Sequence, residues 1–424
     1  MNTIDKYKKY VDTNIVSAIA PLVFDRAEGA LVFGEDGRKF IDCFAGIAVT
    51  CAGHSNPEVI EAAKAQLDKY IHCCSYVYHN KPMADLAEKL AEITPGRLNR
   101  TFFANSGSEA IECALRLAKI YNGKHEFIAL QAGFHGRTYA ALSISGNYAR
   151  KTRGGPYMPG VSFAPPPYCY RCTFNLKPQT CGMHCAEHLD DIIKLTTSGD
   201  VCAFIAEPVM GEGGIISPPE AYFKKVKEVL DHHKIMLVID EVQSGFARTG
   251  KMFAIEHYGV EPDIMAMAKG IANGLPLSGC IARDEIADAF RPEEHLSTFG
   301  GNPVSCAASL ATINFLQRER IAEKVMQKET LVKERLASIK ENHRIIGDVR
   351  GRGLMIGVEL VKDDIKTPAA SEARAISQLC LKQGLLVGVG GILANVLRIQ
   401  PPLVITDEQL DEALGILEKA LEEF

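Results

Sequence analysis

From about residue 59 the apolar residues alternate between two rhythms. Residues 59–70, 81–93, 108–121 and 221–232 carry them at helical spacing. Between these stretches stand short β-rich runs at 101–104, 126–131, 202–206, 235–240, 264–268 and 277–282. Runs so short and so apolar predict strands covered on both faces. Helices interleaved with such strands predict an α/β unit with a largely parallel sheet. Beyond Pro303 a long helical region runs to about residue 341. A stretch at 349–360 with a strand-like end follows, then a helix over 371–382, strands near Leu385 and Val396, and a last helix over 407–423. This predicts a smaller α+β unit, which the strand-like 30–33 and 39–42 join. A chain of 424 residues exceeds what one core usually supports. The expected division is a large domain over 61–325 and a small one built from 1–60 and 326–424.

Residues 154–188 break the rhythm. They are rich in proline, glycine and cysteine and show little periodicity, which predicts a long ordered loop inserted in the large domain. Composition adds two exclusions. A net charge of −5 argues against nucleic acid as a partner. No apolar run reaches the roughly 20 residues that span a bilayer, and the first ten residues form no signal-peptide core. The thirteen cysteines, mostly single in apolar segments, suit a reducing cytoplasm.

Three places carry candidate chemistry. Asn105-Ser106-Gly107-Ser108-Glu109 joins a strand to a helix, where small residues let a phosphate approach the amides at the helix start. The plain alternative is a helix cap at Ser106 or Ser108. Asp240 ends the run 235–239, and a carboxylate there lies where open α/β sheets place ligands. The alternative is a turn cap. Lys269 ends the run 264–268, where apolar surroundings lower an amine's basicity. The alternative is a solvated lysine. An amine and an acid placed in this way suit a pyridoxal phosphate enzyme, the amine carrying the cofactor and the acid keeping its ring nitrogen protonated. Gly351-Arg352-Gly353 and Gly388-Val389-Gly390-Gly391 fit no dinucleotide fingerprint.

These places, together with Ala132-Gly133-Phe134-His135-Gly136-Arg137-Thr138, Glu207-Pro208-Val209-Met210-Gly211-Glu212 and Asp240-Glu241-Val242-Gln243-Ser244-Gly245-Phe246, occur in one order. The set closely resembles the class III (ω-amino acid) aminotransferases, of fold type I among pyridoxal phosphate enzymes. The likeness runs from about Phe24 to the C-terminus. It implies a large domain with a mostly parallel sheet and a smaller α+β domain. It further implies that Lys269 carries pyridoxal 5'-phosphate and Asp240 pairs with its pyridine nitrogen. Gln243 would meet the phenolic oxygen, with Phe134 and Val242 on the two ring faces. Ser106, Gly107 and Ser108 would hold the phosphate, and His135 and Glu207 would belong to the same cofactor site. Thr298, in Ser297-Thr298-Phe299-Gly300-Gly301, resembles a threonine that reaches the neighbouring subunit's phosphate, which implies a homodimer; pairing of dimers into tetramers stays open.

Within the class the resemblance is closest to 4-aminobutyrate aminotransferases. It implies that Arg398 takes the α-carboxylate of a 2-oxo acid, that Glu212 masks Arg398 when the amino donor lacks such a carboxylate, and that Arg137 grips the donor's far carboxylate. Ile47 would line the pocket. An unmasked buried arginine is costly, which is the physical reason for such a switch; a structural ion pair is the plain alternative. The implied partners are a small-molecule amino donor and 2-oxoglutarate, and the implied kinetics are ping-pong. Met210 stands where the family commonly has glutamine. Cys169, Cys172, Cys181 and Cys185 have no counterpart in the 4-aminobutyrate pattern and look more like the loop of alanine–glyoxylate-type and racemase relatives. Their C-x2-C and C-x3-C spacing resembles a structural zinc site with His184 and His188 as spare ligands; the plain alternative is a thiol-rich loop or two local disulfides, and no metal ligand is assigned. Racemisation, phosphate elimination and a non-catalytic binding role remain the competing functions.

Overall fold

In the computed structural model, which describes residues 1–15 and 19–424, the apolar runs assemble into one seven-stranded sheet. Its spatial order is Arg100–Ala104, Ser278–Ala282, Ile264–Met267, Met236–Asp240, Val201–Ala206, Glu126–Leu130 and Val161–Ala164. Ser278–Ala282 runs antiparallel to both neighbours, and the pairings from Ile264–Met267 onward are parallel. The alternation of side chains decides the burial. Val238, Ile205 and Ala129 join one apolar cluster with the helix Gly107–Asn122, while Leu237, Ile239, Phe204 and Ile128 join another on the opposite face. Both faces are therefore covered, as such apolar strands require.

Two smaller sheets flank it. Phe24–Glu28, Leu31–Gly34 and Lys39–Asp42 form an antiparallel meander, and Leu385–Leu386 adds to it in parallel, with Leu385 opposite Ile41. The third sheet runs Ile346–Arg352, Met355–Leu360, Val396–Ile399 and Gly388–Gly390. Residues near the two ends of the chain thus share a sheet.

Three elements differ from expectation. The long helical region after Pro303 is two helices, Pro303–Arg318 and Ile321–Asn342, because Arg320 between them takes a left-handed φ of 52°. The stretch at 349–360 is a hairpin of two strands. The cysteine-bearing insertion contains the edge strand Val161–Ala164 and the start of the helix His184–Thr196. The edge strand does not stand out in the sequence because Ser162 interrupts its apolar run and Pro165 follows at once.

The insertion is anchored by a buried carboxylate. Glu359, with no exposed surface, accepts hydrogen bonds from Tyr168, from Arg171 Nε at 2.5 Å and from Arg350 Nη1 at 2.7 Å. Arg350 in turn donates to Gly214 O at 2.6 Å. Cys169, Cys172, Cys181 and Cys185 gather round one small cavity with Phe174 and His184. Every cysteine is a free thiol, and among the described residues no group of three or more His, Cys, Asp or Glu is arranged to hold a metal ion.

Candidate active site

The parallel strands deliver their next residues to one edge of the sheet. Asp240 ends Met236–Asp240, Glu207 follows Val201–Ala206, Lys269 follows Ile264–Met267, and Phe134 and His135 lie just past Glu126–Leu130. The helix Gly107–Asn122 begins beside them. Together with Ile47, Arg137, Glu212, Val242 and Gln243 they line a cavity of about 470 Å³. The carboxyl edge of a parallel sheet is where such folds open a crevice.

The helix start is capped and yet keeps amides free. Ser106 is the cap: its Oγ accepts from the amide of Glu109 at 3.4 Å, and Glu109 Oε2 accepts from the amide of Ser106 at 2.8 Å. That capping box leaves the amides of Gly107 and Ser108 without a partner among the described residues. Free amides at a helix N-terminus suit an anion. A Cβ on Gly107 would stand 2.8 Å from Val242, so the loop reaches the cavity wall only as glycine. The cap therefore leaves room for an anion, and the two readings do not exclude each other. Ser108 Oγ also accepts from the amide of Arg137 at 3.1 Å.

The floor is a set of fixed carboxylates. Asp240 Oδ2 meets His135 Nδ1 at 2.8 Å, and Oδ1 accepts from the amide of Val242 at 3.0 Å. Burial opposes charge on His135, but the hydrogen bond and charge of Asp240, with Glu207 nearby, outweigh it and raise the imidazole's pKa. Glu207 holds two loops in register, accepting from the amide of Phe134 at 2.9 Å and that of Gly211 at 2.8 Å. Burial pushes its carboxyl up to about 7, against the pull of His135. A Cβ on Gly211 would collide with the side chain of Gln243, so this turn closes around the glutamine amide. Lys269 takes a left-handed φ of 48°, a strained conformation of the kind that collects at functional sites. Burial lowers its amine to about 8, although Asp240 and Glu207 pull the other way.

Three arginines stand at the cavity's rim: Arg137 lines it, while Arg398 and Arg150 do not line it and reach it through Glu212. Arg398 projects from Val396–Ile399, and its Nη1 donates to Glu212 Oε2 at 2.9 Å. Glu212 Oε1 accepts from Arg150 Nη2 at 2.6 Å. Burial would raise Glu212, but the two guanidinium groups hold it below the usual carboxylate range. Arg137 is exposed, its guanidinium 5.4 Å from the centre of the Phe134 ring. Ile47 lies in a short left-handed segment, φ 71°, on the same cavity wall.

Thr298 does not line this cavity; it sits exposed in the loop before Gly300. Met210 is fully buried in the core behind the wall and does not line it. Two partners escape a reading of the sequence. Arg150 ends a single 3-10 turn, Tyr148–Arg150, and the His135–Asp240 bond joins residues 105 apart.

The arrangement can hold an anion at the helix start, a flat ring against Asp240, and a covalent adduct on Lys269. Pyridoxal phosphate needs these three features, and the residues fit it: bare amides for the phosphate, an acid fixed on both oxygens, and an amine of lowered basicity.

The family model for aminotransferase class-III matches residues 14–421. A leucine/methionine racemase of Thermococcus litoralis is 40% identical over 422 residues, covering 99% of this chain and 94% of that protein. A 4-aminobutyrate aminotransferase of Mycobacterium leprae is 38% identical over 413 residues, covering 96% and 93%. Among solved structures, a Bacillus anthracis aminotransferase superposes with a TM-score of 0.93 at 32% identity, covering 100% of both chains.

Proposed function

The chain belongs to the class-III aminotransferases, which depend on pyridoxal 5'-phosphate, and from that premise we propose that it transfers an amino group from an ω-amino acid to 2-oxoglutarate. The donor in this proposal is 4-aminobutyrate or a β-alanine-like compound, and the working form is a cytoplasmic homodimer. No helix among the described residues is long and apolar enough to cross a membrane.

The bound cofactor supplies a reversible covalent tie to an amine and an electron sink. The residues supply position and protons. Lys269 holds the cofactor, and its Nζ then carries a proton to and from the substrate carbon that bears nitrogen. Asp240, clamped by His135 and by the Val242 amide, holds the proton on the pyridine nitrogen. Gln243 donates to the phenolic oxygen, and Phe134 and Val242 flank the ring. The amides of Gly107 and Ser108, with the hydroxyls of Ser106 and Ser108, hold the phosphate. Thr298 serves the neighbouring subunit's phosphate, a role supported by its exposed loop, where Leu296 and Phe299 are 56% and 63% exposed.

The choice of donor rests on the contact between Glu212 and Arg398. A donor with no carboxylate beside its amine leaves Arg398 to Glu212, while Arg137 binds the far carboxylate. When 2-oxoglutarate enters, Glu212 leaves and Arg398 takes the α-carboxylate as a charge-assisted pair. The test is Arg398→Ala in separate half-reactions. The loss with 2-oxoglutarate is expected to exceed the loss with 4-aminobutyrate by about tenfold or more, and equal losses would remove the switch.

Racemisation is the second reading, favoured by the 40% identity to a leucine/methionine racemase. One amino acid without any 2-oxo acid separates the two. An aminotransferase stops after one turnover per site, whereas a racemase continues until the enantiomers are equal.

A further inference from the structure

Glu212 has two guanidinium partners, and the switch described above uses only one. Arg398 takes Oε2; Arg150 takes Oε1 at 2.6 Å. The two arginines sit in different surroundings. Arg398 is buried on a strand and also donates to Val389 O at 3.3 Å. Arg150 ends the short turn Tyr148–Arg150, with 41% of its side chain exposed, and Glu212 is its one carboxylate partner among the described residues. The Glu212 side chain is only 20% exposed. A carboxylate that left Arg398 with nowhere to go would stay largely desolvated and unpaired, at high cost.

We propose that Arg150 is the second seat of Glu212: a substrate carboxylate arriving on Arg398 leaves Glu212 paired with Arg150, so Arg150 sets how readily that carboxylate is admitted. The inference rests on the proposed switch and adds a residue to it. Both anions end with a cation, so the exchange keeps its charges paired throughout. Arg150 acts through Glu212 and does not touch substrate; it is a positioning residue. Its partial exposure screens the pair, which limits the effect to a few-fold.

The experiment compares holoenzyme variants Arg150→Ala, Arg150→Lys, Glu212→Gln and the double variant Arg150→Ala/Glu212→Gln. Half-reactions are run separately with glutamate, which has an α-carboxylate, and with 4-aminobutyrate, which has none. Binding of glutarate, a non-reacting dicarboxylate, is measured by calorimetry. Arg150→Ala is expected to lower kcat/KM for glutamate relative to 4-aminobutyrate by about fivefold, with a matching fall in glutarate affinity. Arg150→Lys restores most of both. With Glu212→Gln already present, Arg150→Ala changes neither, since the anion it seats has gone. A full Arg150→Ala effect in the Glu212→Gln background would mean direct contact with substrate and would overturn the proposal, as would an unmoved ratio in Arg150→Ala alone. An unmoved ratio in Glu212→Gln alone would overturn the switch itself, and this inference with it.

Discussion

The floor and the rim of the cavity are built on opposite principles. On the floor each carboxylate oxygen of Asp240 and Glu207 has its own donor, and three of those four donors are backbone amides. Such groups cannot move without unfolding a loop. On the rim one carboxylate is shared between two arginines, and Arg398 Nε is buried with no partner among the described residues. A shared anion beside an unfilled donor can change partners at small cost. The floor is suited to chemistry common to both half-reactions, and the rim to telling one substrate from another.

Breaking the floor should therefore damage both half-reactions alike. Lys269→Ala is expected to lower turnover by at least about a thousandfold with either substrate. The visible band of the purified enzyme should vanish, and borohydride should fix no cofactor to the chain. Retained turnover would remove the floor from the reaction. Asp240→Asn should cost about a hundredfold or more, again equally on the two sides. A loss confined to one substrate would mean that the floor discriminates as the rim does.

The smallest effect sharpens the comparison through stability. The Lys269 amine titrates near 10.5 in the unfolded chain and near 8 in the folded one. Between those values the unfolded chain binds the proton and the folded chain does not, so the stability of cofactor-free protein rises with pH across that window. Below about 8 the full penalty is present. Lys269→Met should therefore stabilise cofactor-free protein at pH 7 by on the order of 3 kcal/mol and flatten the slope between 8 and 10.5, as read by denaturant titration. An unchanged slope would mean that the amine is solvated.

The floor was largely legible in the sequence because its residues follow apolar runs that can only be buried strands. Asp240 and Lys269 each end such a run, and the sheet edge follows from the pattern. Ser106 was legible as a cap, which the capping box bears out, while its part in holding an anion belongs to the proposed function. The rim was legible only through resemblance. Arg398 lies on a strand that sequence places, but Glu212 and Arg150 lie in turns whose geometry no local periodicity encodes. Both His135 and Asp240 were assigned to the cofactor site, but their direct bond was not legible, nor was the Glu359 cluster, whose Tyr168 and Arg171 lie more than a hundred positions from it. The edge strand Val161–Ala164 was hidden by Ser162 within it and the prolines that follow it.

Glu359 has a consequence for anyone who would trim or exchange the thiol-bearing segment. Deleting that segment would strip an entombed anion of Tyr168 and Arg171 and leave Arg350 as its one remaining cation, at a cost of several kcal/mol. A successful graft must bring a substitute donor or swap the glutamate for an uncharged side chain in the same step. The segment and its distant counter-residue are thus heritable only as a pair.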